Sequence, residues 1–329
     1  MDKFIAQEPE YRAGVFANAA AETGTTPQVV EKDFWVTWVL GKLFADPRLK
    51  SLLVFKGGTS LSKVYNIIER FSEDIDLVLD WSVLGGEDPQ VERSNTQQGL
   101  FNEGLNLRAQ KYLRADLLPC IQNLLQDACT VEIDAEDPHS LLIFYPVSFP
   151  DGYLLPQVKL EIGPLVSKEP QEVRDISSYA AVAFPDLFEV ATCSVNVIRA
   201  ERTFWEKVTI LHQEAFRTNS PIPSRYSRHD YDLYKLAISP AGMAAVEDLK
   251  LLADVVAFKQ KFYPRSWARY DLAVPGTLRL LPPKESLAGL EQDYRSMQDM
   301  IFESDPPSFE TMMEQLGQLE LEMNSTAIR

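Results

Sequence analysis

One stretch restricts the fold more than any other: FKGGTSLSKVYNIIERFSEDIDLVLD, from Phe55 to Asp80. The apolar run just before it, SLLVF (51–55), reads as a short buried strand. Gly57, Gly58, Thr59 and Ser60 follow as a turn. Leu61, Val64, Tyr65 and Ile68 then recur at helical spacing up to Phe71. In EDIDLVLD a strand puts Ile75, Leu77 and Leu79 on one face and Asp74, Asp76, Val78 and Asp80 on the other. Aspartate is a poor strand former, so its repetition here needs a reason. A strand, a turn, a helix and a second strand in so short a span place the glycine turn and the acids at the same end of adjacent strands.

That juxtaposition has a chemistry. Glycines let a backbone approach a ligand closely. A helix start offers unpaired N–H groups and positive potential, which suit a phosphate, and Thr59 and Ser60 bring hydroxyl donors. Four such residues alone would equally describe an ordinary capped turn, and the GK[ST] ending of a Walker A loop is absent. Asp74 and Asp76 stand about 7 Å apart along a strand and repel each other unless a cation lies between them. Magnesium takes such oxygen ligands and keeps positions open for phosphate oxygens. A solvated acidic edge would account for D-x-D alone. Turn and acids together point to a nucleoside triphosphate: the turn for its outer phosphates, the acids for metals at the α phosphate.

The rest of the chain frames this element. Its 329 residues are 45% hydrophobic, enough for two globular domains. No apolar run reaches membrane length, and the N-terminus lacks a secretory apolar core, so a cytoplasmic protein is expected. Three cysteines without CxxC spacing and three histidines argue against a zinc or histidine metal centre. A net charge of -16, from 48 acids against 32 bases, disfavours indiscriminate nucleic-acid binding. A local basic cleft remains open to Lys56, Lys63, Arg70, Lys159, Lys207, Arg225 and Arg228. Helices are expected over 27–44, 97–128 and 197–217 and through most of 229–329, with strands at 130–135, 141–147 and 157–163. The expected fold class is α+β and bilobed. Residues 1–185 carry a mixed sheet with flanking helices, and residues 186–329 form a mainly helical lobe that contributes Lys207 and Asp232 to the cleft.

The glycine turn followed by D-x-D resembles the polymerase β-like nucleotidyltransferase superfamily, which implies a third carboxylate on a nearby strand. In VKLEIG, Lys159 and Glu161 share a face, which makes Glu161 a metal ligand or the base for the attacking hydroxyl. Glu132 and Asp134 in VEID are its rivals. In RTFWEKVTILHQEAF (202–216) Lys207 is a candidate phosphate contact with Glu206 as its partner. In RYSRHDYDLYKLA (225–237) Arg228 can hold phosphate, His229 can orient its neighbours, and Asp232 can place a metal or an acceptor hydroxyl.

Together these segments resemble the AbiEii/AbiGii toxin family of nucleotidyltransferases. The resemblance implies an active site of Ser60, Asp74, Asp76, Lys207 and Asp232, with Asp230 at a variable position. With the residue reading it implies nucleotide contacts at Gly57, Gly58, Thr59, Ser60, Lys63, Arg228 and His229, and metal ligands Asp74, Asp76 and Glu161. The implied activity is metal-dependent transfer of a nucleoside monophosphate from an NTP to RNA, at a tRNA 3′ end, with Mg2+ or Mn2+. The implied setting is a toxin–antitoxin pair in phage defence, with a cognate antitoxin as partner. Other acceptors, a small molecule or a protein, fit the same fold, as does a nucleotide-binding subunit without catalysis. An RNA acceptor requires Lys63, Arg70, Lys159, Arg225 and Arg228 to line one mouth.

Overall fold

The structure is a computed structural model that describes residues 1–150, 154–217 and 223–325, without the side chain of Asp299. It divides into two compact units: Met1–Val64 with Phe71–Ile198, and Tyr65–Arg70 with Arg199–Arg329.

A mixed seven-stranded sheet organises the first unit. The strands are β1 (Leu53–Lys56), β2 (Asp74–Leu79), β3 (Thr130–Ile133), β4 (Ser140–Phe144), β5 (Gln157–Gly163), β6 (Gln171–Ser177) and β7 (Thr192–Ile198), in the order β3-β4-β5-β2-β1-β7-β6. β2 is antiparallel to β1 and parallel to β5. In β5 strict alternation buries Val158, Leu160 and Ile162 and leaves Lys159 and Glu161 on the other face. The long helix Pro27–Ala45 starts as expected, with Pro27 in the first turn and Thr26 accepting from the Val29 N–H. Its Val30, Phe34, Trp35 and Val39 are fully buried.

Several elements depart from the sequence reading. β1 begins at Leu53, because the helix Pro47–Leu52, capped by Asp46, takes residues 51 and 52. The helix Gly57–Lys63 starts at the first glycine, so the four residues expected as a separate turn form its first turn, and it ends short of the expected Phe71. Asn66 has φ 50, which no helix continues. Ile68 is buried all the same, in a segment of the second unit that pairs Arg70 with Ile301. The helix expected over 97–128 is Asn95–Tyr112, a π turn over Leu113–Leu117, and Leu118–Leu125. Leu107, an apolar residue of the first of these helices, is exposed. β6 and β7 were not expected; β7 takes residues 197 and 198, so the next helix starts at Ala200.

The second unit is built from the helices Ala200–Ala215, Ser227–Ala237, Pro240–Glu247, Leu249–Phe262, Leu287–Met297 and Phe309–Ser325. Residues 263–286, within the stretch expected to be mostly helical, carry short 3-10 turns. Among the described residues no helix is long and apolar enough to cross a membrane.

Candidate active site

The antiparallel register sets Lys56, the last residue of β1, opposite Asp76 near the start of β2, so the glycines and the acids do share one end of the sheet. Asp76 is in turn paired with Glu161, and Asp74 with Lys159. Paired residues project to the same face, so Asp74, Asp76, Lys159 and Glu161 form one polar patch. Counting strands separates the candidates for a third carboxylate. Glu161 is one strand from Asp76, about 5 Å at the backbone. Asp134 continues the same row beyond Ser140, and Glu132 lies on the Asp74 row beyond Leu142 and Lys159. Both are three strands away, about 14 Å. The Lys159 ammonium lies 3.3 Å from Glu161 and 3.5 Å from Asp134.

Gly57 explains why glycine stands at the head of the turn. Its φ is +79, and a Cβ placed there would lie 2.0 Å from Asp76 Oδ2. The Asp76 carboxylate thus rests on the space that a side chain would fill. The Asp74 carboxyl is raised to about 6, first by burial and then by the charges of Glu161, Glu73 and Asp76. Asp80 acts locally instead, capping the following turn through the Ser82 N–H and pairing with Lys168.

The hydroxyls beside the glycines point inward. Thr59 donates to the Asp74 carbonyl at 2.5 Å, and Ser60 donates to the Gly57 carbonyl at 2.8 Å. Both are buried. They fix the glycine helix to β2 and to itself, in place of the expected outward donors. The Lys63 side chain is likewise withdrawn from solvent, ion-paired with Asp33 at 2.5 Å.

A second polar cluster lies within the second unit. Arg70 grips Asp232 with two parallel bonds, Nε to Oδ1 at 2.6 Å and a terminal nitrogen to Oδ2 at 2.8 Å. Lys207 donates to Asp232 Oδ2 at 2.7 Å and lies 2.9 Å from His229 Nδ1. The two cations overcome burial and hold the Asp232 carboxyl well below the usual range. Burial pushes His229 well down, and the charges of Lys207 and Arg228 push it further. The ring is therefore neutral and can accept from Lys207. Burial pushes Lys207 down as well, against the pull of Asp232. Burial, with Asp293 adding to it, drives the Asp230 carboxyl well up. Glu206 pairs with Arg202 one turn away, whereas the Lys207 ammonium goes to Asp232.

The five bases expected at a basic mouth have different surroundings within their own units. Lys63 and Arg70 are buried in ion pairs, Lys159 sits among acids, and Arg225 and Arg228 are exposed. Sequence reasoning overlooked Arg70 as the partner of Asp232; its one signal was an arginine in the apolar setting NIIERF (66–71).

Among the described residues no three carboxylate, cysteine or histidine side chains converge closely enough to hold a metal ion as they stand. The donor set still suits a hard cation: three carboxylates share a face, one lies against a glycine, and burial followed by mutual repulsion raises another.

These features fit an enzyme of the nucleotidyltransferase class, which the family match establishes. Residues 38–315 match the family of the nucleotidyl transferase AbiEii toxin of type IV toxin–antitoxin systems. The chain belongs to that family, and its resemblance to it extends over most of its length. In structure it is similar to MenT4, a nucleotidyltransferase toxin from Mycobacterium tuberculosis H37Rv, at 17% identity and a TM-score of 0.45, over 95% of this chain and 98% of that one. It is also similar to a protein of H. pylori assigned to the nucleotidyltransferases, at 17% identity and a TM-score of 0.35, over 88% and 97% of the two chains. No curated protein matches the sequence at a significant level.

Proposed function

We propose that this toxin transfers a nucleoside monophosphate from a ribonucleoside triphosphate to the 3′ end of an RNA, with tRNA as the acceptor. The observation that carries the reading is the row Lys56, Asp76, Glu161 beside Asp74, at the end of β1 where the glycine helix begins. The acceptor oxygen attacks the α phosphorus, the bond to the pyrophosphate oxygen breaks, and pyrophosphate leaves. Asp74, Asp76 and Glu161 would hold Mg2+, or Mn2+ in its place, which when bound neutralises phosphate charge. The backbone at Gly57 and Gly58 faces the outer phosphates, and Thr59 and Ser60 keep that backbone in place. Glu161, whose side chain is 42% exposed, takes the proton of the acceptor hydroxyl. Lys207, oriented by Asp232 and His229, is proposed to act in the same reaction as a phosphate contact, and Arg228 as a contact to RNA. We place the reaction in the cytoplasm, in phage defence, under control of a cognate antitoxin.

A second reading keeps the donor and changes the acceptor to a small molecule or a protein. The engagement of Lys63, Arg70 and Lys159 by carboxylates favours it, since these are three of the five bases an RNA mouth would use. One experiment separates the two. Each radiolabelled ribonucleoside triphosphate is incubated with the protein and a cell extract, and RNA, protein and small molecules are then fractionated. Label in RNA, lost in Asp76→Asn, is the expected result. Label in either other fraction overturns the RNA acceptor, and equal labelling by Asp76→Asn overturns the assignment of the site.

A further inference from the structure

The sequence VVEKDFW puts three consecutive charges into the helix Pro27–Ala45, and all three are buried: Glu31 is 2% exposed, Lys32 2% and Asp33 4%. Successive helix residues point about 100° apart, so three neighbours rarely all leave water. Buried charges persist only when paired and hydrogen-bonded. Lys32 and Asp33 are ion-paired and hydrogen-bonded, and Glu31 is held by hydrogen bonds alone. Glu31 accepts from the backbone N–H groups of Ser148 at 2.7 Å and Phe149 at 3.2 Å. Lys32 donates to the Glu73 carboxylate and, at 2.9 Å, to the Leu155 carbonyl. Asp33 pairs with Lys63 and accepts from the Tyr179 N–H at 2.7 Å. Lys63 also donates to the Ser177 carbonyl at 2.6 Å.

The partners are the segments that deliver the carboxylate face. Glu73 immediately precedes Asp74. Lys63 is the last residue of the glycine helix. Ser148, Phe149 and Leu155 belong to the connection from β4 to β5, the strand of Glu161. Apolar contacts alone would let these segments slide, because they have no preferred direction. Charged hydrogen bonds fix both distance and angle.

We infer that Glu31, Lys32 and Asp33 are the positioning residues of the transfer reaction, Lys32 setting the carboxylate strand and Asp33 setting the glycine helix. The inference rests on the reading of this face as the transfer site, and it assigns different jobs to adjacent residues. Loss of the Lys32–Glu73 tie misplaces Asp74 and so lowers turnover. Loss of the Asp33–Lys63 tie loosens the backbone that faces the phosphates and so weakens triphosphate binding.

The test uses the full chain and two double substitutions that remove both members of a pair, Lys32→Met with Glu73→Gln and Asp33→Asn with Lys63→Met. Binding of radiolabelled ribonucleoside triphosphates with magnesium is measured by equilibrium dialysis, and turnover by label transfer. The first variant should lose about 100-fold in turnover, the effect of a misplacement near 1 Å. Its triphosphate Kd should stay within about twofold. The second should raise Kd about tenfold, equivalent to about 1.4 kcal/mol, and lower turnover less. If a double variant does not fold, Lys32→Arg and Lys63→Arg, which keep the charge and alter the reach, should show the same split more weakly. Equal losses of turnover and affinity in both variants, or none in either, overturn the inference. Asp76→Asn is run beside them. Should it transfer label at the wild-type rate, the site assignment itself fails. Should it be inactive while the paired variants behave as wild type, only the positioning role fails.

Discussion

Gly57→Ala is a one-carbon perturbation aimed at the site. The added methyl would stand 2.0 Å from Asp76 Oδ2, 2.6 Å from its Cγ and 3.0 Å from its Cβ. Ordinary contact begins near 3.4 Å, so the carboxylate must withdraw by more than 1 Å. Because the Cβ of Asp76 is itself crowded, rotation of the carboxylate alone does not clear the overlap, and χ1 or the strand must move. The backbone adds a second cost, since at φ +79 an L side chain is strained by about 1–2 kcal/mol. Overpacking contributes about 1–3 kcal/mol more, so a loss of about 2–5 kcal/mol in stability is expected. Displacing a reacting group by about 1 Å costs about 100-fold in rate. The assay pairs a melting curve with label transfer from radiolabelled triphosphate. Gly99→Ala is the control: nothing lies within 4 Å of its added carbon, and it lies in the helix Asn95–Tyr112. There alanine should stabilise by about 0.5–1 kcal/mol without changing transfer. A folded Gly57→Ala protein with a rate within about twofold of wild type would refute the claim that Asp76 must occupy its observed position.

Other outcomes follow from the same geometry. Asp74 is raised to about 6, above its unfolded value, so its contribution to stability is present at low pH and is lost as pH rises through 6. Asp74→Asn should therefore stabilise the metal-free protein at pH 8 by about 1–2 kcal/mol, discounted for partial exposure, and leave it little changed near pH 4; equal effects at both pH values would contradict the repulsion. Asp232→Ala leaves Arg70 and Lys207 without their shared anion and should cost about 3–5 kcal/mol by denaturant melting. Lys207→Met, in which Asp232 keeps Arg70, should cost clearly less, and the reverse order would count against the cluster. Triphosphate with magnesium at about a hundredfold excess over Kd should stabilise by about 2.7 kcal/mol, while triphosphate with a chelator should do far less. Arg228→Glu should weaken RNA labelling more than triphosphate binding and flatten the salt dependence of labelling by about one unit; an unaltered salt slope would remove Arg228 from the RNA contacts.

How much of the fold and site was legible depended on whether the signal was local. β5 was read to the residue, because QVKLEIG alternates without a break and both its faces have a clear chemistry. The strand that carries Asp74 and Asp76 was legible for the same reason, whereas the glycines expected as a turn belong to the helix itself. The pairing of Asp76 with Glu161 could be suspected from alternation, but only the register of β2 against β5 distinguishes Glu161 from Asp134 and Glu132. β6 was missed because QEVRDIS buries little beyond Ile176, and β7 because TCSVNVI runs directly into a strong helix. The helix after the glycines was drawn too long because Val64, Tyr65 and Ile68 keep helical spacing although the backbone turns at Asn66. Basic residues were the least legible class. A sequence shows that Lys63 and Arg70 carry charge but not that Asp33 and Asp232 already neutralise it.

Such internal neutralisation decides how so acidic a chain can handle a triphosphate. The net charge is -16, and the face that carries Asp74, Asp76 and Glu161 concentrates carboxylates further, as the raised Asp74 registers. A phosphate approaching such a face meets like charge, and Lys159 offsets only part of it because it also serves Asp134 and Asp137. Lys32, whose charge reaches Asp74, is held inside the unit by Glu73 and the Leu155 carbonyl, and so cannot swing out to a ligand. The fold has thus committed the cations nearest the acids to fixing the positions of strands and helices. In the proposed reaction, neutralisation at the transferred phosphate then comes largely from a divalent cation that arrives with the substrate. On that proposal the carboxylates would hold the cation, and glycine at position 57 leaves the Asp76 carboxylate the room it occupies.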